Sequence, residues 1–246
     1  MTRTISLNGL ELYYRDSGSG NTILLLHGFT GSGDDWQHVF AQPIEGRRVI
    51  VPDLRGHGRT TNPDGTFRFA DVARDVFALL DLLGIDRVSA IGMSAGANTL
   101  LHMATQQPAP VQAMVHVSGT PRFPDQARMI MRTMTAETRS EAEWAEMRGR
   151  HHHGDDQIRA LWKHARGFAD DRDDMNFTAA ALSGITARTL IVHGDRDPLY
   201  PVELAVELLR GIPNAALWVV PNGGHGPIFG EQAAPFVRTA TAFLDS

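Results

Sequence analysis

Short apolar runs without alternation recur along this chain, most of them followed by a turn containing glycine or aspartate and then by a stretch with helical spacing. Thr22-Ile23-Leu24-Leu25-Leu26 is the first, and residues 48–51, 88–91, 111–117, 189–192 and 217–220 repeat the theme. A strand with one face in water alternates apolar and polar residues; a strand covered on both faces does not. Between the runs, Phe69, Val72, Val76, Leu79, Leu80 and Leu83 keep a spacing of three or four before Gly84, which marks an amphipathic helix and its stop. Further helices are expected to start near Ser94, Pro201 and Gln232. Buried strands alternating with helices predict an α/β fold, a mostly parallel central sheet with helices on both faces. Ahead of it, Ile5 and Leu7, the dipeptide Asn8-Gly9, and then Leu10, Leu12 and Tyr14 read as a hairpin closed by a type I′ turn.

One region breaks the alternation. From residue 123 to 184 there is no buried-strand run, methionines gather (Met129, Met131, Met134, Met147, Met175), and helical spacing holds over 127–134, 140–150 and 157–168. We read residues 1–121 and 185–246 as the core domain and residues 122–184 as a helical cap inserted into it.

Composition removes several function classes. With no cysteine, disulfides, cysteine-ligated zinc and a thiol nucleophile are all out. The net charge of -5 offers nucleic acid nothing, and the basic residues are scattered arginines with Lys163 the single lysine. No stretch approaches the ~20 apolar residues of a membrane span, and the start lacks a basic stretch followed by an apolar run. A cytoplasmic protein without a membrane partner is expected; oligomeric state is not legible.

The chemistry sits at the ends of the apolar runs. Gly92-Met93-Ser94-Ala95-Gly96 lies between a strand and a helix. A nucleophilic serine on so sharp a turn needs small residues two before and two after it, and the turn aims the helix N-terminus at developing negative charge. His27-Gly28-Phe29-Thr30-Gly31 follows the first run; there the Phe29 N–H is expected to pair with the Ala95 N–H as an oxyanion hole. His193-Gly194-Asp195-Arg196-Asp197-Pro198 and Asn222-Gly223-Gly224-His225-Gly226 close two later strands. Serine, acid and histidine in that chain order form a hydrolase triad with His225 as base. Either Asp195 or Asp197 is placed to face it.

These motifs, with Asp53-Leu54-Arg55-Gly56-His57-Gly58, resemble the α/β-hydrolase superfamily and, within it, the esterase, enol-lactonase and cofactor-free haloperoxidase-like branch. The likeness covers nearly the whole chain outside the cap. Ala97 stands where many relatives carry a second glycine, and Arg59-Thr60 replaces the common residue-plus-serine after the Gly-His-Gly turn; neither touches the chemistry. The resemblance implies Asp197 as the acid and a reaction with no metal or organic cofactor. The remaining histidines His27, His57, His102, His116 and His193 read as loop-stabilising or core residues. His151-His152-His153 tempts a metal reading, but adjacent helical side chains point about 100° apart and useful ligand pairs sit four apart.

The expected activity is hydrolysis of a small to medium, uncharged carboxylic ester or lactone through an acyl-enzyme, with Ser94, Asp197 and His225 as the triad. Its partners would then be that small-molecule substrate and water. Cofactor-free oxygenation or C–C bond hydrolysis on the same fold is the alternative, and a non-enzymatic receptor that retains its triad is a third reading. A pocket wall is expected from Trp36, Met93, Met129, Met134, Trp144, Trp162 and Tyr200, the apolar residues of the cap and of the loops beside the serine.

Overall fold

The computed structural model describes residues 1–245. Eight strands form one sheet in the order β1-β2-β4-β3-β5-β6-β7-β8. They are β1 (Thr2–Leu7), β2 (Leu10–Gly18), β3 (Asn21–Leu26), β4 (Arg47–Pro52), β5 (Val88–Met93), β6 (Val111–Val117), β7 (Arg188–Gly194) and β8 (Ala215–Val220). β1 and β2 pair antiparallel, β2 runs antiparallel to β4, and β4 through β8 are parallel. Asn8 and Gly9 both take positive φ, 48° and 77°, as a type I′ turn demands.

The apolar runs lack alternation because both faces of the sheet are buried. Ile23, Leu25, Val49, Val51, Ile91, Val115 and Val192 point to one face, where α8 (Ala233–Asp245) contributes Phe236 and Leu244. Leu24, Leu26, Ile50, Ala90 and Met114 point to the other, under α1 (Phe69–Leu82), α2 (Ala95–Gln106) and α7 (Val202–Gly211). Each fully buried side chain of this size is worth roughly 1.5–3 kcal/mol, so the strands are locked in register.

The order of the strands positions the site. The chain leaves β3 for β4 on one side and returns to the other side of β3 as β5. That reversal opens a crevice at the carboxyl ends of β3 and β5, where open α/β sheets hold their ligands.

Between β6 and β7 the chain is helical: α3 (Asp125–Met131), α4 (Glu141–Arg150), α5 (Asp155–Gly167) and α6 (Ala179–Ser183). Ser140 and Glu143 close a capping box at the start of α4. Ala136, Trp144, Met147, Ile158 and Leu161 pack among themselves, while Phe123, Ala127, Met131, Phe168 and Met175 run into the core beneath α1 and α2. Buried Arg128 donates to the Phe123 carbonyl at 3.0 Å and the Ala169 carbonyl at 2.7 Å. Asp174 reaches back to α1, whose own N-cap Arg68 makes no side-chain cap bond, and accepts from the Phe69 and Ala70 amides. A carboxylate there meets the positive end of the helix. The 3-10 turn Gly33–His38, capped reciprocally by Ser32 and Asp35, is an element our reading of the sequence did not anticipate, although Ser-x-x-Asp carried its signal. Among the described residues no helix is long and apolar enough to cross a membrane.

Candidate active site

Ser94 follows β5 and caps α2 at φ 50° and ψ −109°, a conformation costing on the order of 1–3 kcal/mol. Its neighbours hold it there: the Ser94 N–H donates to the Val117 carbonyl at 2.8 Å, and its own carbonyl accepts from the Asn98 N–H at 2.8 Å. The flanking glycines answer a steric demand. A Cβ on Gly96 would lie 2.1 Å from the Leu26 carbonyl oxygen, and one on Gly92 would lie 2.5 Å from the Gly96 carbonyl. Both obstacles are backbone, so neither yields to a side-chain rotation.

His225 bridges the serine and the acid. Its Nε2 lies 2.8 Å from Ser94 Oγ and its Nδ1 2.8 Å from Asp197 Oδ2. The other carboxylate oxygen, Oδ1, accepts from the Leu199 N–H at 2.8 Å and the Tyr200 N–H at 3.1 Å. The carboxylate is fully buried while the imidazole is partly open. Burial pushes the Asp197 carboxyl up most strongly, yet the hydrogen bond and charge of His225 and the Leu199 and Tyr200 amides outweigh it, so its pKa falls below the usual value. An ionised Asp197 puts the Nδ1 proton between itself and His225 and leaves Nε2 as an acceptor facing the serine. Asp195 is exposed, and it is Asp197 that holds the His225 Nδ1.

The two segments that carry the expected oxyanion donors both adjoin Ser94. Ala95 opens α2, so its N–H has no carbonyl four residues earlier within the helix. Gly28 lies against the serine; a Cβ placed on it would be 3.7 Å from Ser94 Cβ. The Gly28 carbonyl accepts from the Gly31 N–H at 3.1 Å, which folds the Phe29-Thr30 peptides into a tight turn beside the nucleophile. The Phe29 ring is partly buried. It sits edge-on to His57, Phe67 and Phe168 at 4.8, 5.0 and 4.9 Å, anchoring the loop.

The expected pocket residues divide. Tyr200 lies edge-on to His225 at 5.3 Å, with its phenol pKa raised by burial and by the charge of Asp197. Met93 reaches towards Gly226, next to the base. Trp162 is half-buried against the Trp144 cluster, with Arg139 over its ring, and Met134 is half-buried against the main core. Three side chains go elsewhere. Trp36 is turned beneath the sheet into the α8 face, and it lines a cavity of about 550 Å³ with Met1, Arg15 and Phe40. Met129 is 62% exposed on the outer side of α3. Trp144 belongs to the helical segment's own small core, with Arg148 and Arg159 over its ring. A spacing argument finds the apolar side of a helix but cannot say which of two cores that side meets.

Of the five histidines expected to stabilise loops or core, His27, His57 and His193 take backbone partners, while both ring nitrogens of buried His116 and Nε2 of His102 have none among the described residues. The His27 ring bridges the Gly28 carbonyl (Nδ1, 2.8 Å) and the Leu54 N–H (Nε2, 3.0 Å). His57 is fully buried, its Nδ1 on the Arg55 carbonyl at 2.9 Å, and burial, His27 and His151 hold it neutral. His193 bonds the Tyr200 carbonyl at 2.9 Å. The Asp53–Gly58 stretch is a structural turn: Asp53 accepts from the Gly33 and Arg59 amides, and Arg55 pairs bidentately with buried Asp75. The three-histidine run docks against this turn. His151 Nδ1 accepts from the Gly58 N–H at 2.9 Å, the His152 N–H donates to the Gly58 carbonyl at 2.9 Å, and His153 Nε2 lies 3.0 Å from the Arg59 carbonyl.

Comparison with known proteins gives the family and the fold. A family model described as alpha/beta hydrolase fold matches residues 21–144, and one described as TAP-like protein matches residues 170–246. The 2-hydroxy-6-oxononadienedioate/2-hydroxy-6-oxononatrienedioate hydrolase 2 of Pseudomonas putida is 29% identical over 96% of this chain and 92% of its own. Among solved structures, Est816, described as an N-acyl homoserine lactone degrading enzyme, superposes with a TM-score of 0.75 at 26% identity over 99% of each chain. The enol-lactonase from Burkholderia xenovorans LB400 superposes at 0.79 with 23% identity, over 99% of this chain and 100% of its own, and shares the fold.

Proposed function

Since the chain belongs to the α/β-hydrolase family, we propose that it is a serine hydrolase that opens a carboxylic ester or lactone through an acyl-enzyme on Ser94. The observation that carries this reading is the imidazole of His225, at 2.8 Å from both Ser94 Oγ and Asp197 Oδ2. In the reaction Ser94 Oγ attacks the carbonyl carbon while His225 Nε2 takes its proton. The oxygen gains negative charge between the Phe29 and Ala95 amides, where each donor is worth about 3 kcal/mol. Collapse expels the alcohol, protonated by His225; water then attacks the acyl-enzyme with His225 as base again, regenerating Ser94.

In this reading residues 1–121 and 185–246 form the catalytic core and residues 122–184 roof the crevice. A largely uncharged substrate fits this reading, because three of the cap arginines are already paired: Arg139 with Glu143, Arg148 with Asp155 and Arg150 with Glu146. A second reading has one observation in its favour. The Pseudomonas putida relative is named as a hydrolase of an oxo-dienedioate, and the Ser94–His225 pair does not exclude C–C bond hydrolysis of such a ketone.

The test is a panel of acyl esters, lactones and a vinylogous oxo-acid of the C–C hydrolase type, run with wild type and Ser94→Ala. Ester or lactone turnover that disappears with Ser94→Ala, by up to about a millionfold in kcat, supports the proposal. Turnover of the oxo-acid alone moves the chain to the second reading, and activity persisting in Ser94→Ala removes both.

A further inference from the structure

We propose that His151, on the cap, is a positioning residue for the oxyanion hole; the inference rests on the serine-hydrolase reading above. The His151 ring stands between the loop that follows β3 and the loop that follows β4. Its Nε2 donates to the Thr30 carbonyl at 3.1 Å, and its Nδ1 accepts from the Gly58 N–H at 2.9 Å. Thr30 is the residue after Phe29, whose N–H is one of the two donors to the developing oxyanion.

Thr30 needs such a partner. It is β-branched and sits at φ 61°, a region where side chains of that shape are strained, so the surroundings must hold it. Its Oγ1 donates to the Phe29 carbonyl at 2.6 Å, coupling the two peptides. The Thr30 carbonyl is fixed from the cap by His151. Release of that carbonyl lets Thr30 relax to negative φ, which turns the Phe29–Thr30 segment and misaims the Phe29 N–H.

The ring is suited to the task because it is neutral. Burial lowers its pKa to about 4, so at neutral pH one nitrogen donates and the other accepts. Neighbouring groups share the docking but not the reach to Thr30: Gln157 Nε2 donates to the Gly56 carbonyl at 3.0 Å and the Gly58 carbonyl at 3.2 Å. The Phe168 ring also touches Phe29, but His151 alone bonds the loop's backbone, and a hole aimed in this way is complete only when the cap is seated.

The experiment follows phosphonylation of the full chain by a fluorophosphonate, whose P=O occupies the oxyanion hole, with intact-mass readout and separate kinact and KI. His151→Ala is expected to lower kinact at least about tenfold, short of the 10²–10³ lost with an entire donor, and to leave KI within about twofold. His151→Gln, whose amide offers one donor and one acceptor, is expected to recover kinact to within about threefold. Gln157→Ala is expected to lower the melting temperature without changing kinact. Hydrogen exchange over residues 27–33 is expected to accelerate in His151→Ala and not in Gln157→Ala. Should His151→Ala not fold, His151→Leu fills the volume without either bond and gives the same reading. An unchanged kinact in a folded Ala or Leu variant, a folded Gln variant as slow as Ala, or an equal loss in Gln157→Ala overturns the inference. A wild type that is not labelled, or a labelled Ser94→Ala, sinks the serine-hydrolase reading and this inference together; labelled wild type with indifferent His151 variants sinks this inference alone.

Discussion

Replacing Asp197 with asparagine tests the site at its most constrained atom. Asp197 Oδ1 accepts two backbone N–H groups, from Leu199 and Tyr200, while Oδ2 faces the His225 Nδ1. In Asp197→Asn the amide must keep its oxygen towards the two backbone donors, since its NH₂ there would oppose donor to donor. The NH₂ group is then forced towards His225, and Nδ1 must become the acceptor. That moves the imidazole proton to Nε2, 2.8 Å from Ser94 Oγ, where it can no longer receive the serine proton. The geometry survives and the tautomer is wrong. Loss of the corresponding carboxylate in a serine protease triad lowers kcat by about 10⁴, equivalent to about 5.5 kcal/mol of transition-state stabilisation. Here kcat is expected to fall by that order on a short-chain chromogenic ester, with KM little changed and the fold retained by circular dichroism. Exposed Asp195, changed to asparagine in parallel, is expected to stay within about twofold, as surface changes away from a site do. An Asp197→Asn enzyme within tenfold of wild type, or a larger loss in Asp195→Asn, refutes the tautomer argument.

Gly96→Ala is expected to destabilise by about 1–3 kcal/mol and to lower kcat, because its Cβ meets the Leu26 carbonyl at 2.1 Å and must push the nucleophile turn off β3; a thermal melt and ester kinetics check both. His151 is neutral in the folded chain down to about pH 4 but takes a proton near pH 6.5 when unfolded, so the unfolded state binds more protons in that window and stability falls as pH drops through it. The full depression is worth about 3 kcal/mol, and urea midpoints between pH 6.5 and 4 should flatten in His151→Gln. Acyl chain length is expected to reduce kcat/KM beyond medium esters as the cap is forced open; rates rising steadily into long chains at a lipid interface refute a roofed pocket.

Sequence alone determined the strands, because burial on both faces writes itself as unbroken apolar runs such as Ile23 to Leu26. It also marked Ser94, His225 and the two acids as candidates, since a strand end followed by glycine is a local signal. The structure alone decided between Asp195 and Asp197 at His225, as side-chain direction in a turn depends on which backbone amides hold the other oxygen. Trp36, Met129 and Trp144 were misplaced for a related reason: apolar character fixes that a side chain is drawn to a core, not which core lies within reach. The histidine run shows the limit most clearly. His151 is separated from Thr30 by 121 residues, and its two hydrogen bonds go to backbone groups that every residue possesses. No residue type at the far end marks such a partner, so only the folded chain brings the pair together.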